Sequence, residues 1–212
     1  MNISLSETFA PVSRISSLRI LLALVTLKDL RIFAWDVDSA YLHGRINHDV
    51  YIWLPDGYQK PRKVSKLNKP LYGLPEAAHA WCEDFEEKLR LLGFTPLRSD
   101  TGVFINRSVN AFMAIDMQMD DITGICLSKG EEIRLKTSIK EFYKIKERDT
   151  SKPFKILGIL VTRDTHLGML KLSQPEYIKT LLERFGMNNC NSIVTPVDKQ
   201  GFSPPEQRRQ PL

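Results

Sequence analysis

The sequence predicts an α+β fold in which an antiparallel sheet packs on helices, and three observations carry that prediction. Helical and strand-like periodicities alternate along the chain without a regular βαβ spacing. Apolar runs come in neighbouring pairs around turn residues, as Ala111–Met119 and Ile122–Leu127 do around Asp120-Asp121. No glycine-rich phosphate loop is present, which argues against a P-loop or a dinucleotide-binding fold.

Taken in order, Ser13–Lys28 reads as a helix, with Ile15, Leu18, Leu21, Leu22 and Val25 at three- and four-residue spacing and Ser16 or Ser17 as its cap. Leu30–Asp38 switches to strand character, and Val50–Leu54 is a second short strand stopped by Pro55-Asp56-Gly57. Lys60, Arg62, Lys63, Lys66 and Lys69 then follow with no acid among them, a basic loop that suits either solvent or phosphate. Glu76–Leu92 is a helix whose stripe is Ala77, Ala80, Trp81, Phe85, Leu89 and Leu92, with Gly93 as its stop. Ile133–Ile145 reads as a basic helix, Phe154–Arg163 and Met169–Leu172 as strands joined through Gly168, and Pro175–Phe185 as a last helix ended by Gly186. Beyond Thr195-Pro196 the chain turns polar and proline-rich, and residues 197–212 read as a loose tail.

Composition narrows the class. The chain has 212 residues, 42% hydrophobic and 26% charged, enough for one sizeable core. Thirty Lys and Arg against twenty-five Asp and Glu give a formal charge of +5, a mild basic bias that suits a polyanionic partner. Cys82, Cys126 and Cys190 lie far apart, which disfavours a disulfide framework or a cysteine zinc site. The first residues lack the pattern of a signal peptide, and Leu18–Leu27 is too short to span a bilayer. The expectation is a reduced, soluble, intracellular protein with no membrane partner.

The carboxylates carry the chemistry. Asp36 closes an apolar strand, and Asp120-Asp121 sit at the tip of an apolar hairpin. An Asp-Asp pair at a hairpin tip is ordinarily turn chemistry. These acids, however, end the most apolar strands of the chain and have no basic neighbours in sequence. Brought together they would repel unless a cation neutralised them, and oxygen ligands without His or Cys suit Mg²⁺ or Mn²⁺. A pair of such ions is the usual device for in-line attack on a phosphate, which the basic surroundings would hold.

From Glu7 to Pro196 the sequence resembles the reverse transcriptase domain of copia-type LTR retrotransposons. The resemblance rests on Glu7-Thr8-Phe9-Ala10-Pro11-Val12, on Trp35-Asp36-Val37-Asp38-Ser39-Ala40-Tyr41-Leu42-His43-Gly44, and on Leu71-Tyr72-Gly73-Leu74 running through Trp81. Met119-Asp120-Asp121, Leu157-Gly158-Ile159, Leu172-Ser173-Gln174 with Tyr177, and Arg184-Phe185-Gly186-Met187 with Thr195-Pro196 complete the series in order. It implies a right-hand polymerase palm over residues 7–196, with partial fingers, the start of a thumb at about 175–187, and an unmatched segment over 1–6. It further implies that Asp36, Asp120 and Asp121 are catalytic and hold two Mg²⁺ or Mn²⁺ ions. Tyr41 would lie under the incoming deoxynucleoside triphosphate, and Gln118, Met119, Leu157 and Gly158 would meet the primer. The partners implied are an RNA or DNA template with its primer, and the oligomeric state stays open. Trp81 would serve core packing.

Departures from the family pattern qualify this. Gln118 stands where the family has Tyr, so the ring against the primer terminus is lost. Asp116 adds an acid on the same strand face, costly there unless paired. Pro75-Glu76-Ala77-Ala78 replaces Lys-Gln-Ala-Pro, setting a negative charge near the triphosphate. Little sequence precedes Glu7, where the family's fingers strand grips the triphosphate, so a polymerase core of weak activity is expected. Three readings follow: an RNA-directed DNA polymerase, a weakly active or inactive remnant palm retaining at most nucleic-acid binding, and a metal-dependent nuclease using the same acids.

Overall fold

The computed structural model describes residues 10–192 apart from 59, 61, 109 and 110, so the segment expected over 1–6, Glu7–Phe9, Thr195-Pro196 and the tail expected over 197–212 lie outside the described residues. Two compact units divide at Ser173 and Gln174.

The first unit is built on a six-stranded antiparallel sheet. Its strands are β1 (Arg31–Val37), β4 (Thr95–Pro96), β5 (Val103–Ser108), β6 (Ala111–Gln118), β7 (Asp121–Cys126) and β8 (Ile145–Arg148), in the order β4-β5-β6-β7-β1-β8. β1 therefore lies between β7 and β8 and is buried on both faces, which is why it reads as a nearly continuous apolar run. Phe33, Trp35 and Val37 face α2 (Ala77–Leu91) and α3 (Lys129–Lys140), packing with Trp81, Phe85, Leu89 and Ile139. Ile32 and Ala34 face α1 (Ile15–Leu27), packing with Leu18, Leu21, Leu22 and Val25. Each large apolar side chain removed from water in this way contributes about 1.5–3 kcal/mol, far more than helix propensity supplies.

The remaining strands form two smaller sheets. β2 (Tyr51–Trp53) pairs with β3 (Val64–Lys66) as a ribbon, so part of the basic segment expected as a loop is a strand. β9 (Phe154–Ile156), β10 (Ile159–Asp164) and β11 (Met169–Ser173) make a three-stranded sheet that α1 touches through β11. The single strand expected over Phe154–Arg163 is thus a hairpin. Leu157 (φ +50°) and Gly158 (φ +75°) turn it, the pair of positive φ values that a two-residue hairpin loop matching the strand twist requires.

Two further expectations need correction. The helix read over Ile133–Ile145 runs from Lys129 to Lys140, started by a capping box between Ser128 and Glu131, and Ile145 opens strand β8. Tyr143 and Ile145 are buried at a spacing of two, the period of a strand. Neither Ser16 nor Ser17 caps α1. The helix begins at residue 15, and Asp100, far along the chain, accepts from the Arg14 N–H at 2.9 Å and from the Ser17 hydroxyl.

In the second unit the described element is α4 (Pro175–Arg184), with proline in its first turn and Gly186 (φ +65°) beyond its end. Among the described residues no helix is long and apolar enough to cross a membrane.

Candidate active site

The sheet order puts the acids together. β1 and β7 run antiparallel with Trp35 opposite Ile122 and Asp36 opposite Asp121, so two carboxylates come from strands far apart in sequence onto one face. The side chains are about one-third exposed, 35% for Asp36 and 28% for Asp121. Met119 and Asp120 form the two-residue turn between β6 and β7. Met119 has φ +59°, which a residue with a Cβ adopts only under constraint. Two bonds supply that constraint: Trp81 Nε1–H donates to the Met119 carbonyl at 2.8 Å, and the Val37 N–H donates to the Asp120 carbonyl at 2.9 Å. Trp81 therefore packs the core and also clamps the hairpin tip.

A cation already stands against these acids. Arg148, on β8, forms an ion pair with Asp121 and reaches Asp36 at 3.6 Å, while its other guanidinium nitrogen donates to the Lys155 carbonyl at 3.0 Å. β8 is the neighbour of β1, with Lys146 opposite Asp36, so Arg148 sits two residues along on the same face. Lys146 and Lys144 turn instead to Asp38, at 2.5 and 3.3 Å, and the Lys146 ammonium foremost holds that carboxyl below its usual range. The Asp121 carboxyl is pushed up, first by burial and then by the charges of Asp120 and Asp36, with Arg148 opposing the rise.

Tyr41 lies in a 3-10 turn, Ala40–His43, that follows β1. Its ring stacks on that of Tyr72, with centroids 4.1 Å apart. Burial first, and the Asp120 charge second, raise both phenols, and Tyr41 packs against the core cluster that holds Trp81, the residue bonded to the hairpin tip. Gly44 ends the turn against α2, where a Cβ would come within 2.9 Å of Ala80.

Over residues 1–199 the chain matches the family described as reverse transcriptase (RNA-dependent DNA polymerase). It belongs to the reverse transcriptase family. It is 33% identical over 199 residues to a retrovirus-related Pol polyprotein from transposon TNT 1-94 of Nicotiana tabacum, covering 92% of this chain and 15% of that protein. A retrovirus-related Pol polyprotein from transposon RE1 of Arabidopsis thaliana is 32% identical over 199 residues, covering 91% of this chain and 13% of that protein. A transposon Ty5-1 protein of Saccharomyces cerevisiae is 26% identical over 165 residues, 76% of this chain and 53% of that protein. The chain is thus a reverse transcriptase domain of the copia-type Pol kind, and it spans 13–15% of the length of the first two relatives.

Within this reverse transcriptase domain the residues singled out in the sequence fall into three groups. Asp36, Asp121 and the Asp120 backbone are brought together by register and by the Val37 bond, with Tyr41 and Met119 alongside. Leu157 and Gly158 lie in the turn of the three-stranded sheet, a separate element joined to the acids through Arg148 and Lys155. Gln118 turns inward. Expected at the primer, its side chain is 9% exposed and donates to the Ser13 carbonyl at 2.7 Å. Asp116 is buried beside it, accepts from the Ser13 hydroxyl, and is pushed up to about 6 by burial. Glu76, expected to face the triphosphate, has one carboxylate oxygen 3.4 Å from His48 and is only 12% exposed.

Among the described residues no three His, Cys, Asp or Glu side chains converge as a ready-made metal cluster. The donor set nevertheless suits a hard divalent ion: two opposed carboxylates offer oxygen only, and the structure balances them with the positive charge of Arg148. Arg148, paired with the acids, and Tyr72, stacked on Tyr41, are neighbours of the candidate site that sequence reading missed. The alternation of Lys144, Lys146 and Arg148 with buried Ile145 was the signal for the first. Tyr72 lay within the motif Leu71-Tyr72-Gly73-Leu74 without a role.

Proposed function

We propose that the chain carries out RNA-directed DNA synthesis, adding deoxynucleotides to a primer on an RNA or DNA template. The observation that carries this reading is the register that sets Asp36 opposite Asp121, with Asp120 held in the adjoining turn. On this reading the six-stranded sheet with α2 and α3 is the polymerase palm, over residues 7–196 with partial fingers. α4 begins the thumb.

Asp36, Asp120 and Asp121 would hold two Mg²⁺ or Mn²⁺ ions. Bound there, such ions make the primer 3′-hydroxyl a better nucleophile and offset the charge of the triphosphate. The chain's own contribution is to position. β1 and β7 fix the carboxylates in register, Trp81 and Val37 hold the tip that presents Asp120, and Tyr41, braced by Tyr72, offers a ring face to the sugar of the incoming nucleotide. Arg148 lies where it can offset the charge of Asp36 and Asp121 and hold them in place before the cations arrive. Met119 at the tip, together with Leu157 and Gly158 in the second sheet, would meet the primer, whereas Gln118 supports the hairpin from behind through Ser13.

Primer extension on an RNA template with Mg²⁺ or Mn²⁺ tests the reading. Extension that disappears in Asp121→Asn and Asp36→Asn supports it. Extension that survives both substitutions removes the acids from the mechanism. Degradation of unprimed nucleic acid without extension would instead assign them to a nuclease.

A further inference from the structure

The β2–β3 ribbon presents an unusual surface. Side chains on paired strands share a face when they stand opposite one another, and the register sets Tyr51 opposite Lys66 and Trp53 opposite Val64. That face is open: Trp53 is 77% exposed, Tyr51 57% and Val64 49%, and Tyr58 in the connecting loop is 74% exposed. The other two tryptophans, Trp35 and Trp81, are 2% and 0% exposed. Lys60, Arg62, Lys63 and Lys69 are exposed in the same segment, whose own acid is Asp56, while Asp49 at the ribbon's start pairs with Lys66 and accepts from the Tyr51 hydroxyl at 3.2 Å. Aromatic rings interleaved with cations are what an unpaired nucleic-acid strand recognises: bases stack on the rings, and phosphates meet the Lys and Arg.

Topology ties this surface to the candidate site. The ribbon is an excursion that leaves the fold just after Tyr41 and returns just before Tyr72, and those two rings stack at 4.1 Å. The chain on either side of the ribbon thus carries the two stacked rings, of which Tyr41 is proposed to meet the nucleotide.

We infer that the ribbon Tyr51–Lys66 is a stacking platform for single-stranded nucleic acid, with Trp53 and Tyr51 receiving bases and Lys60, Arg62 and Lys63 the backbone. The inference rests on the polymerase reading for its purpose, since the unpaired strand would be template ahead of the primer, but not for its test.

Because Trp53 is the exposed tryptophan, its emission reports the ribbon directly. Titrating the full chain with an unprimed oligo-dT of about 15 nucleotides should quench that emission, and the apparent affinity should fall steeply between 50 and 200 mM salt (about tenfold or more). In fluorescence anisotropy with labelled oligo-dT, Trp53→Ala should weaken binding about tenfold, and Arg62→Gln with Lys63→Gln should flatten the salt dependence. Asp121→Asn should leave the quenching unchanged, so loss of extension and loss of stacking are read separately. Emission that does not respond to saturating oligo-dT, or unaltered binding by Trp53→Ala, overturns the inference. So does a Trp53 shift that follows protein concentration without nucleic acid, which would give the ribbon to a second copy of the chain.

Discussion

Replacing Arg148 with Gln removes the guanidinium that reaches both Asp36 and Asp121, and the cost can be worked from the register. The two aspartates stand opposite one another, where side-chain carbons lie about 5 Å apart. Two unit charges at that distance repel by about 3 kcal/mol at an effective dielectric of about 20. The acids are about one-third exposed, so solvent takes up part of this, and about 1–2 kcal/mol of lost stability remains. For a domain of this size that is a fall in melting temperature of about 2–8 °C. The pH dependence has a definite sign. The Asp121 carboxyl is already raised in the folded chain, and a raised carboxyl costs stability as pH climbs from its unfolded value through its folded one. Removing Arg148 raises it further, so the deficit of the variant should be small near pH 4 and full at pH 7. Urea denaturation in EDTA, followed by tryptophan emission, measures this, and Mg²⁺ should restore much of the loss if the acids take a cation in place of the guanidinium. A variant as stable as the parent at pH 7 in EDTA would refute the reasoning. An equal deficit at both pH values would refute it as well.

Three further outcomes follow from the same geometry. Trp81→Phe keeps an aromatic ring but loses the bond to the Met119 carbonyl, so stability should fall by about 1–3 kcal/mol in urea, and extension should drop further than the folded fraction explains. Gly44→Ala drives a Cβ against Ala80. It should cost about 1–3 kcal/mol by thermal melting and raise KM for the deoxynucleotide, because the turn carrying Tyr41 must shift. Asp116 is raised from 3.8 to about 6, so the parent should lose up to about 3 kcal/mol between about pH 4 and 6 as this buried carboxyl ionises, and Asp116→Asn should flatten that slope in a pH series of urea midpoints.

Much of the fold was legible because its signals are local. The stripe Ala77, Ala80, Trp81, Phe85, Leu89 and Leu92 marks one helix face, and all but Leu92, half-buried just past the helix end, are buried. The hairpin around Asp120 is readable from two apolar runs and their turn residues. The errors arose where a local pattern admitted two continuations. Ile139 and Tyr143 stand at a helical spacing of four that invites the helix to continue, yet only the neighbouring β1 decides that residues 145–148 extend as a strand. Gln118 was placed at the primer by its position in the family motif, and Asp116 was expected to need a partner in its apolar strand. Ser13, more than a hundred residues away, draws both inward.

By itself the sequence determined which residues could do chemistry and which periodicities they sit on: three aspartates at the ends of apolar strands, a tyrosine five residues beyond the first, and a family-wide order of motifs. Tertiary structure alone decided what each acid faces. That Asp36 stands opposite Asp121, that Arg148 balances them, that Trp81 clamps the hairpin tip, and that Tyr72 braces Tyr41 are all consequences of strand order and register. The physical reason is the range of the interactions. Helix and strand periods are set within a few residues, whereas the cross-strand neighbour of a side chain depends on how segments a hundred residues apart share one core.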